Sequence, residues 1–246
     1  MKKRCTVILL AAGAGRRMES STAKQYMLLG DKPVIWYGLQ AFETSALIDT
    51  IILVVGKGEI TYAQKEIVEK FGFSKVNTII EGGEERYLSV TKAMQVIEME
   101  HEKSPNLNPD YIFIHDGARP FITDKILRDT YEAAVAHGAS CAAMPVKDTI
   151  KVANGDGFVI DTPDRSRLFT VQTPQVFSAP LILKAYGLLS KYLEGPMDIS
   201  VTDDAMVVEH MLKHPVKLVP ASYENIKITT PSDLEVAESF LKKGNL

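Results

Sequence analysis

This chain has little cysteine, little tryptophan and no excess of positive charge: two Cys, one Trp and a formal net charge of -3 in 246 residues. Each scarcity excludes something. Cys5 and Cys141 stand singly in separate apolar runs, so neither a disulfide framework nor a thiolate metal cluster is expected, only buried, reduced thiols. Without a basic footprint the chain is not a nucleic-acid binder, and any anionic ligand must be held by a local cluster of cations. No apolar stretch approaches the ~20 residues that span a bilayer, so no membrane partner is expected either. The start, "MKKRCTVILLAAGA", does have the basic tip, short apolar run and small residues of a secretory signal. Two arginines directly after that run favour a first strand, and a cytoplasmic enzyme, instead.

What is present is ordinary for a soluble globular protein: 46% hydrophobic and 24% charged residues. Apolar, β-rich runs recur at "CTVILLA", "TIILVVG", "KVNTIIEG", "YIFIHDG" and "ASCAAMPV". Between them lie segments with helical spacing, "VIWYGLQAFETSA", "EITYAQKEIVEKFG", "ERYLSVTKAMQVIEME" and "TDKILRDTYEAAVAHG". Strands apolar on both faces that alternate with helices predict a doubly wound, mainly parallel α/β sheet of Rossmann-like type. In such sheets ligands bind beyond the carboxyl ends of the strands. The alternation breaks at "TIKVANGDGFVIDT", where two short β runs flank Asn154-Gly155-Asp156-Gly157, a hairpin composition. This arm, approximately residues 148–162, either reaches out toward a second subunit or folds back on its own chain. Helices near Ala179 to Leu193, near Asp203 to Lys213 and from Pro231, with the strand "VKLVPA", complete the pattern. "HEKSPNLNPD" is the only linker-like stretch and merely joins a helix to a strand, so residues 1–246 read as a single domain.

Three loops after strands could carry chemistry. "GAGRRM" follows the first strand and imitates the dinucleotide fingerprint, but Met18 stands where the third glycine should be. No P-loop spacing exists. What remains is a glycine-permissive turn followed by Arg16, Arg17 and Lys24, suited to a polyphosphate held by backbone amides and cations together. "YIFIHDGARPF" places Asp116 at a strand end beside Gly117, as a carboxylate able to help hold Mg²⁺ or to pair with Arg119. His115 beside it reads as a packed histidine. In "IIEGGEERYLS", Glu84 and Ser89 offer groups for a base edge, while Arg86 reads as a structural link between loops. Later in the chain, Arg165 and Arg167 precede a polar T-P-Q turn, Thr202 and Thr230 read as helix caps, and Lys227 reads as a cation on a short strand. Arg165 and Lys227 are candidates for a second anion.

Taken in order, "LLAAGAGRRM", "AKQY", "GGEERYLSV", "HDGARPF", "VKDTIK", "DR…QTPQVF", "TDDA" and "NIKITTPSDL" resemble the 2-C-methyl-D-erythritol 4-phosphate cytidylyltransferase family of the non-mevalonate isoprenoid pathway. The likeness runs from about Val7 to Ala237. It implies a nucleotidyltransferase that joins CTP to a phosphorylated polyol, with Mg²⁺, in a homodimer whose hairpin arm enters the neighbouring subunit. Matching motif by motif, it implies that Ala11, Ala12, Gly13, Ala14, Gly15, Arg16, Gly83, Glu84, Ser89 and Gly117 contact CTP. Arg17 and Lys24 would stabilise the reacting phosphates, Asp116 would join the nucleotide site and carry the metal, and Thr149, Arg165 and Lys227 would hold the substrate phosphate. One departure is visible: Ala23 stands where the family usually has proline, which leaves the loop carrying Lys24 less constrained.

The chemistry agrees with the residues. A phosphate monoester attacking a phosphorus atom needs positioning and cations rather than a covalent nucleophile. Three other readings stay open at this level: a ribitol 5-phosphate cytidylyltransferase, a sugar-nucleotide pyrophosphorylase, and a non-catalytic nucleotide-binding module.

Overall fold

The structure is a computed structural model that describes residues 3–13, 23–103, 108–195 and 200–244. Its centre is a seven-stranded sheet. In chain order the strands are β1 (Cys5–Ala11), β2 (Thr50–Val55), β3 (Val76–Glu81), β4 (Tyr111–Asp116), β5 (Ala139–Pro145), β6 (Phe169–Ser178) and β7 (Lys217–Pro220). Across the sheet they lie as β7-β5-β6-β4-β1-β2-β3. Only β6 runs antiparallel to its neighbours, so the mainly parallel, Rossmann-like reading holds.

Burial explains the near-continuous apolar runs. Val7, Leu9, Leu53 and Val55 face one helical layer with Ile35, Leu39 and Phe42. Ile8, Ile52, Val54 and Ile114 face the other, packed on Val90, Met94 and Tyr186. Each such side chain, taken fully out of water, contributes about 1.5–3 kcal/mol. The six longer α-helices among the described residues are α1 (Val34–Thr44), α2 (Arg86–Lys103), α3 (Asp124–His137), α4 (Ala179–Tyr192), α5 (Asp204–Leu212) and α6 (Pro231–Lys242). Their ends follow local chemistry. Thr123 accepts from Ile126 N to start α3, and Gly138, at φ 82°, ends it in the left-handed conformation that glycine adopts without strain. Thr230 and Asp233 form a reciprocal capping box with Pro231 in the first turn of α6.

Four local expectations need correction. The segment "EITYAQKEIVEKFG" is helical, but after Ile60–Tyr62 it widens into π turns over Ala63–Glu69. The polar T-P-Q segment is not a turn: it lies inside β6, where the register against β5 shifts between Val171 and Gln175. Proline cannot donate to a ladder, so it is tolerated at that irregularity, and the buried polar side chains around it are satisfied by specific partners described below. The cap of α5 is Asp203, whose carboxylate accepts from Met206 N at 3.0 Å, while Thr202 reaches only the Met206 sulfur. An anionic cap adjoining the first helical amides gains from the helix dipole as well as the hydrogen bond. Lys227 lies in no strand; a single backbone bond, Ile228 N to Ala118 O, ties its segment to the loop after β4.

The hairpin is present, with Val152–Ala153 paired to Val159–Asp161 and Asn154 Oδ1 accepting from Asp156 N and Phe158 N. It protrudes: Phe158, Val159 and Ile160 are 71%, 57% and 65% exposed. Strand order reverses between β1 and β4, and a doubly wound sheet opens its ligand crevice at such a point.

Candidate active site

Asp116 ends β4 at that crevice and is almost wholly buried. Its backbone is fixed by a three-step relay. His115 Nε2 lies 3.2 Å from the Arg119 carbonyl and Nδ1 lies 3.0 Å from Thr173 Oγ1. A carbonyl can only accept, so Nε2 carries the proton, Thr173 donates to Nδ1, and Thr173 Oγ1 accepts from Asp116 N at 3.1 Å. Burial pushes the His115 pKa down to about 4, which keeps the ring neutral and this relay intact. His115 is therefore the packed histidine that its sequence surroundings suggest.

Around the Asp116 carboxylate stand three cations. Arg86 Nε lies 3.2 Å from Oδ1, Lys227 Nζ 2.8 Å from Oδ2 and Arg119 Nε 3.6 Å from Oδ2. Burial alone would raise the Asp116 pKa, but Arg86, Lys227 and Arg119 outweigh it and hold the carboxyl well below the usual carboxylate range. Arg86 is in turn paired with Asp204 Oδ2 at 2.7 Å, and Asp204 with Asp116 lifts its pKa further against the burial penalty. Burial is the main cause lowering the Arg119 pKa, and its Nε is a buried donor with no hydrogen-bond partner.

Two clefts open on this cluster. The larger, about 880 Å³, runs from Ala11, Ala12 and Gly13 past Lys24 to Gly83, Glu84 and Ser89. Gln25 Nε2 holds the Ala11 carbonyl at 2.6 Å, fixing the end of β1. Ser89 Oγ accepts from Gly83 N at 3.0 Å and Lys92 Nζ donates to the Gly82 carbonyl at 2.7 Å, so the glycine loop is shaped by its own helix. A Cβ on Gly82 would come within 2.4 Å of Ala12 Cβ, which requires glycine there. The second cleft, about 460 Å³, is lined by Arg119, Thr173, Gln175 and Asp203 among others. Arg86, Asp116 and Lys227 line both, and so form the wall between them.

Lys227 owes its place to a neighbouring asparagine. Asn225 Nδ2 donates to Gln172 Oε1 and to the Thr173 carbonyl at 3.0 and 2.9 Å, and Arg119 donates to the Asn225 carbonyl at 2.7 Å. The T-P-Q segment thus positions both Asp116 and Lys227.

The structure brings Ala11, Ala12, Gly13, Lys24, Gly83, Glu84, Ser89, Asp116 and Lys227 to one cleft. Gly117 does not line it; its amide donates to the Leu10 carbonyl at 2.7 Å, and a Cβ there would press on the same oxygen at 3.0 Å. Its place is close packing between β1 and β4. Thr149 and Arg165 are exposed and line neither cleft of their own chain; Arg165 donates to the Lys147 carbonyl at the base of the arm. Ala14, Gly15, Arg16 and Arg17 lie outside the described residues. Sequence reasoning passed over Gln25, Thr173, Asp204 and Asn225. Polar residues inside otherwise apolar strands and helix starts were the only available signal for them.

No group of three or more His, Cys, Asp and Glu side chains among the described residues is arranged to hold a metal ion. Both oxygens of Asp116 already meet cations, Arg86 on Oδ1 and Lys227 and Arg119 on Oδ2, so an ion held by this single carboxylate would have to draw its remaining ligands from phosphate and water. Cys141 is buried, and burial pushes its thiol pKa up, so it is no nucleophile. A wall of alternating charge between two clefts, with no activated nucleophile among the described residues, fits transfer between two anionic ligands.

Comparison with known proteins agrees. The profile of a family described as "IspD: 2-C-methyl-D-erythritol 4-phosphate cytidylyltransferase" matches residues 5–243. The chain is 51% identical over 237 residues to the 2-C-methyl-D-erythritol 4-phosphate cytidylyltransferase of Lachnospira eligens, covering 96% of this chain and 99% of that one. It is 44% identical over 241 residues to the protein of the same name from Lachnoclostridium phytofermentans, covering 98% and 97% of the two chains. Its fold is similar to the crystal structure of 4-diphosphocytidyl-2C-methyl-D-erythritol synthase from Anaerococcus prevotii, with a TM-score of 0.80, 32% identity, and 98% and 97% coverage.

Proposed function

The chain belongs to the 2-C-methyl-D-erythritol 4-phosphate cytidylyltransferase family, and from that premise we propose how its own residues divide the work. The enzyme is a CTP-dependent nucleotidyltransferase: it joins CTP and 2-C-methyl-D-erythritol 4-phosphate to give 4-diphosphocytidyl-2-C-methyl-D-erythritol and pyrophosphate. The observation that carries the assignment of sites is the wall of Arg86, Asp116 and Lys227 shared by two clefts.

CTP occupies the larger cleft, with its triphosphate beyond the carboxyl end of β1 by Ala12 and Gly13 and its base toward Gly83, Glu84 and Ser89. The methylerythritol phosphate approaches from the second cleft, where Lys227 and the Arg119 guanidinium supply positive charge for its phosphate. A phosphate oxygen of that substrate attacks the α-phosphorus. The new P–O bond forms as the bond to the bridging α–β oxygen breaks, and pyrophosphate leaves with the electron pair. Lys24 and Arg17 stabilise the charge that builds on the α-phosphate and the leaving group, which is where a fixed cation lowers the barrier most. No proton need be taken from the attacking oxygen, so neutral, buried His115 has no role as a base. Asp116 would hold Mg²⁺ together with phosphate oxygens, and the ion when bound supplies charge neutralisation and a template for the triphosphate.

Thr149 and Arg165, flanking the arm at its base, are exposed and line neither cleft of their own chain. A homodimer in which the arm delivers both residues to the substrate phosphate in a second copy accounts for that exposure and for the apolar tip at Phe158, Val159 and Ile160. No helix among the described residues is long and apolar enough to cross a membrane. The experiment is pyrophosphate release from CTP and Mg²⁺ with methylerythritol phosphate, ribitol phosphate or a sugar phosphate as acceptor. Release confined to CTP with methylerythritol phosphate supports the assignment; release only with another acceptor overturns it.

A further inference from the structure

We propose that Asp204 is a positioning residue for nucleotidyl transfer, acting through Arg86 to hold the Asp116 carboxylate in place; the proposal rests on the function given above.

Asp204 opens α5, 118 residues along the chain from Arg86, and is fully buried, so it touches neither substrate. Its two oxygens are both used. Oδ1 accepts from Tyr186 Oη at 2.6 Å and Oδ2 from Arg86 Nη2 at 2.7 Å. Arg86 then spans to the active site through a different nitrogen, Nε, which lies 3.2 Å from Asp116 Oδ1. One planar guanidinium thus bridges two carboxylates, one buried behind the wall and one on it. A lysine, with a single nitrogen on a flexible stem, cannot reproduce that span.

The helix that carries Asp204 is fixed to the sheet by a separate contact. Gln175 Oε1 accepts from Ala205 N at 2.8 Å and its Nε2 donates to Asp203 Oδ2 at 2.9 Å. The scaffold for Asp204 therefore does not depend on Arg86. If Asp204 lost its charge, Arg86 would keep one anionic partner, Asp116, and would stand beside two clefts built for phosphates. A guanidinium drawn to a substrate phosphate releases Asp116 Oδ1. A buried anchor behind Arg86 prevents this, and leaves Lys227 and Arg119 as the cations available to the incoming phosphate.

The test combines kinetics with a spectroscopic signal from Arg86. In the full-length enzyme, the Nε–Hε resonance of Arg86, assigned by its loss in Arg86→Lys, should be downfield and slow to exchange. Asp204→Asn, nearly isosteric, should lose that resonance and lower kcat by about 10- to 100-fold, the scale of a misplaced reacting group. The KM for CTP should stay within about threefold, because Asp204 touches no substrate. The double variant Arg86→Lys/Asp204→Asn should turn over no more slowly than Arg86→Lys alone, since residues acting through one contact are not additive. An unchanged resonance with unchanged kcat in Asp204→Asn, or additive losses in the double variant, would overturn the proposal. Should Asp204→Asn fail to fold, Tyr186→Phe takes its place by removing the hydrogen bond that fixes Asp204 Oδ1: a displaced Arg86 resonance with lower kcat supports the proposal, and no change in either overturns it. A wild-type enzyme that released no pyrophosphate would defeat the nucleotidyl-transfer assignment alone, with the Arg86 resonance still deciding the positioning.

Discussion

Lys227 Nζ lies 2.8 Å from Asp116 Oδ2, and this pair forms part of the wall between two clefts. Each side chain reaches the wall from a different part of the fold: Asp116 from the end of β4, Lys227 from the loop ahead of α6. With Arg86, Arg119 and Asp204 they make a set of three cations and two carboxylates, a net positive site set into a chain of net negative charge. Such a site attracts phosphates without needing a basic protein.

Lys227→Ala should weaken the substrate phosphate more than the nucleotide. Losing one charge-assisted hydrogen bond of about 1.5–3 kcal/mol corresponds to roughly a 10- to 150-fold rise in KM for methylerythritol phosphate. Steady-state kinetics with each substrate varied in turn decides it. A rise confined to the KM for CTP would remove Lys227 from the second cleft.

Lys24→Ala and Arg17→Ala should act on turnover. A preorganised group at developing charge is worth roughly 10² to 10³ in kcat, with CTP affinity changed far less. Turnover close to wild type in either variant, alongside weakened CTP binding by calorimetry, would assign that residue to ground-state binding instead.

Much of this was legible in the sequence, and the reasons are physical. Strands buried on both faces leave continuous apolar runs, so β1 to β5 and the loops after them could be read directly, and with them Asp116, Gly83 and Lys24. β6 could not, because Pro174 and buried Gln172, Thr173 and Gln175 imitate a polar turn until Ser222, Asn225, His115 and Asp203 are seen to satisfy them. A linking role is one reading the sequence allows for Arg86, but its partner Asp204 lies far along the chain and no local pattern ties the two. Gly117 looked like a ligand loop because a glycine needed for strand packing and one needed for phosphate approach leave the same trace.

Stability should depend on pH through His115. Its folded pKa, about 4, lies below the ordinary histidine value of 6.5, so the unfolded chain binds the extra proton between those values. Stability is then lost as pH falls from 6.5 toward 4, by at most roughly 3 kcal/mol from this group. Urea titrations across that range should show a shallower pH slope for His115→Gln than for the wild type. Equal slopes would mean that other groups carry the dependence. Asp116 works in the same direction at lower pH: its depressed pKa gives stability that is present above the unfolded carboxylate value and lost as pH falls through the folded one.

Gly82→Ala should harm the nucleotide cleft. The new methyl group meets Ala12 Cβ at 2.4 Å and Ser89 Oγ at 2.7 Å, forcing Ala12, just past β1, away from the glycine loop. Overpacking of this kind costs about 1–3 kcal/mol, and CTP affinity should fall with it. Normal CTP affinity in this variant would show that the two loops do not grip the nucleotide together.

The most direct test of the account is Arg165→Ala mixed with Lys227→Ala. At methylerythritol phosphate concentrations below the wild-type KM, each variant alone should be strongly impaired, since every site lacks one cation for the substrate phosphate. If the arm delivers Arg165 to a second copy, re-equilibrated mixed dimers contain one site that has both cations and one that has neither. Pyrophosphate release from CTP should then recover toward a quarter of the wild-type rate at equal mixing, because half the dimers are mixed and each has one of two sites intact. No recovery in a mixture shown by mass to have exchanged subunits would contradict the shared site.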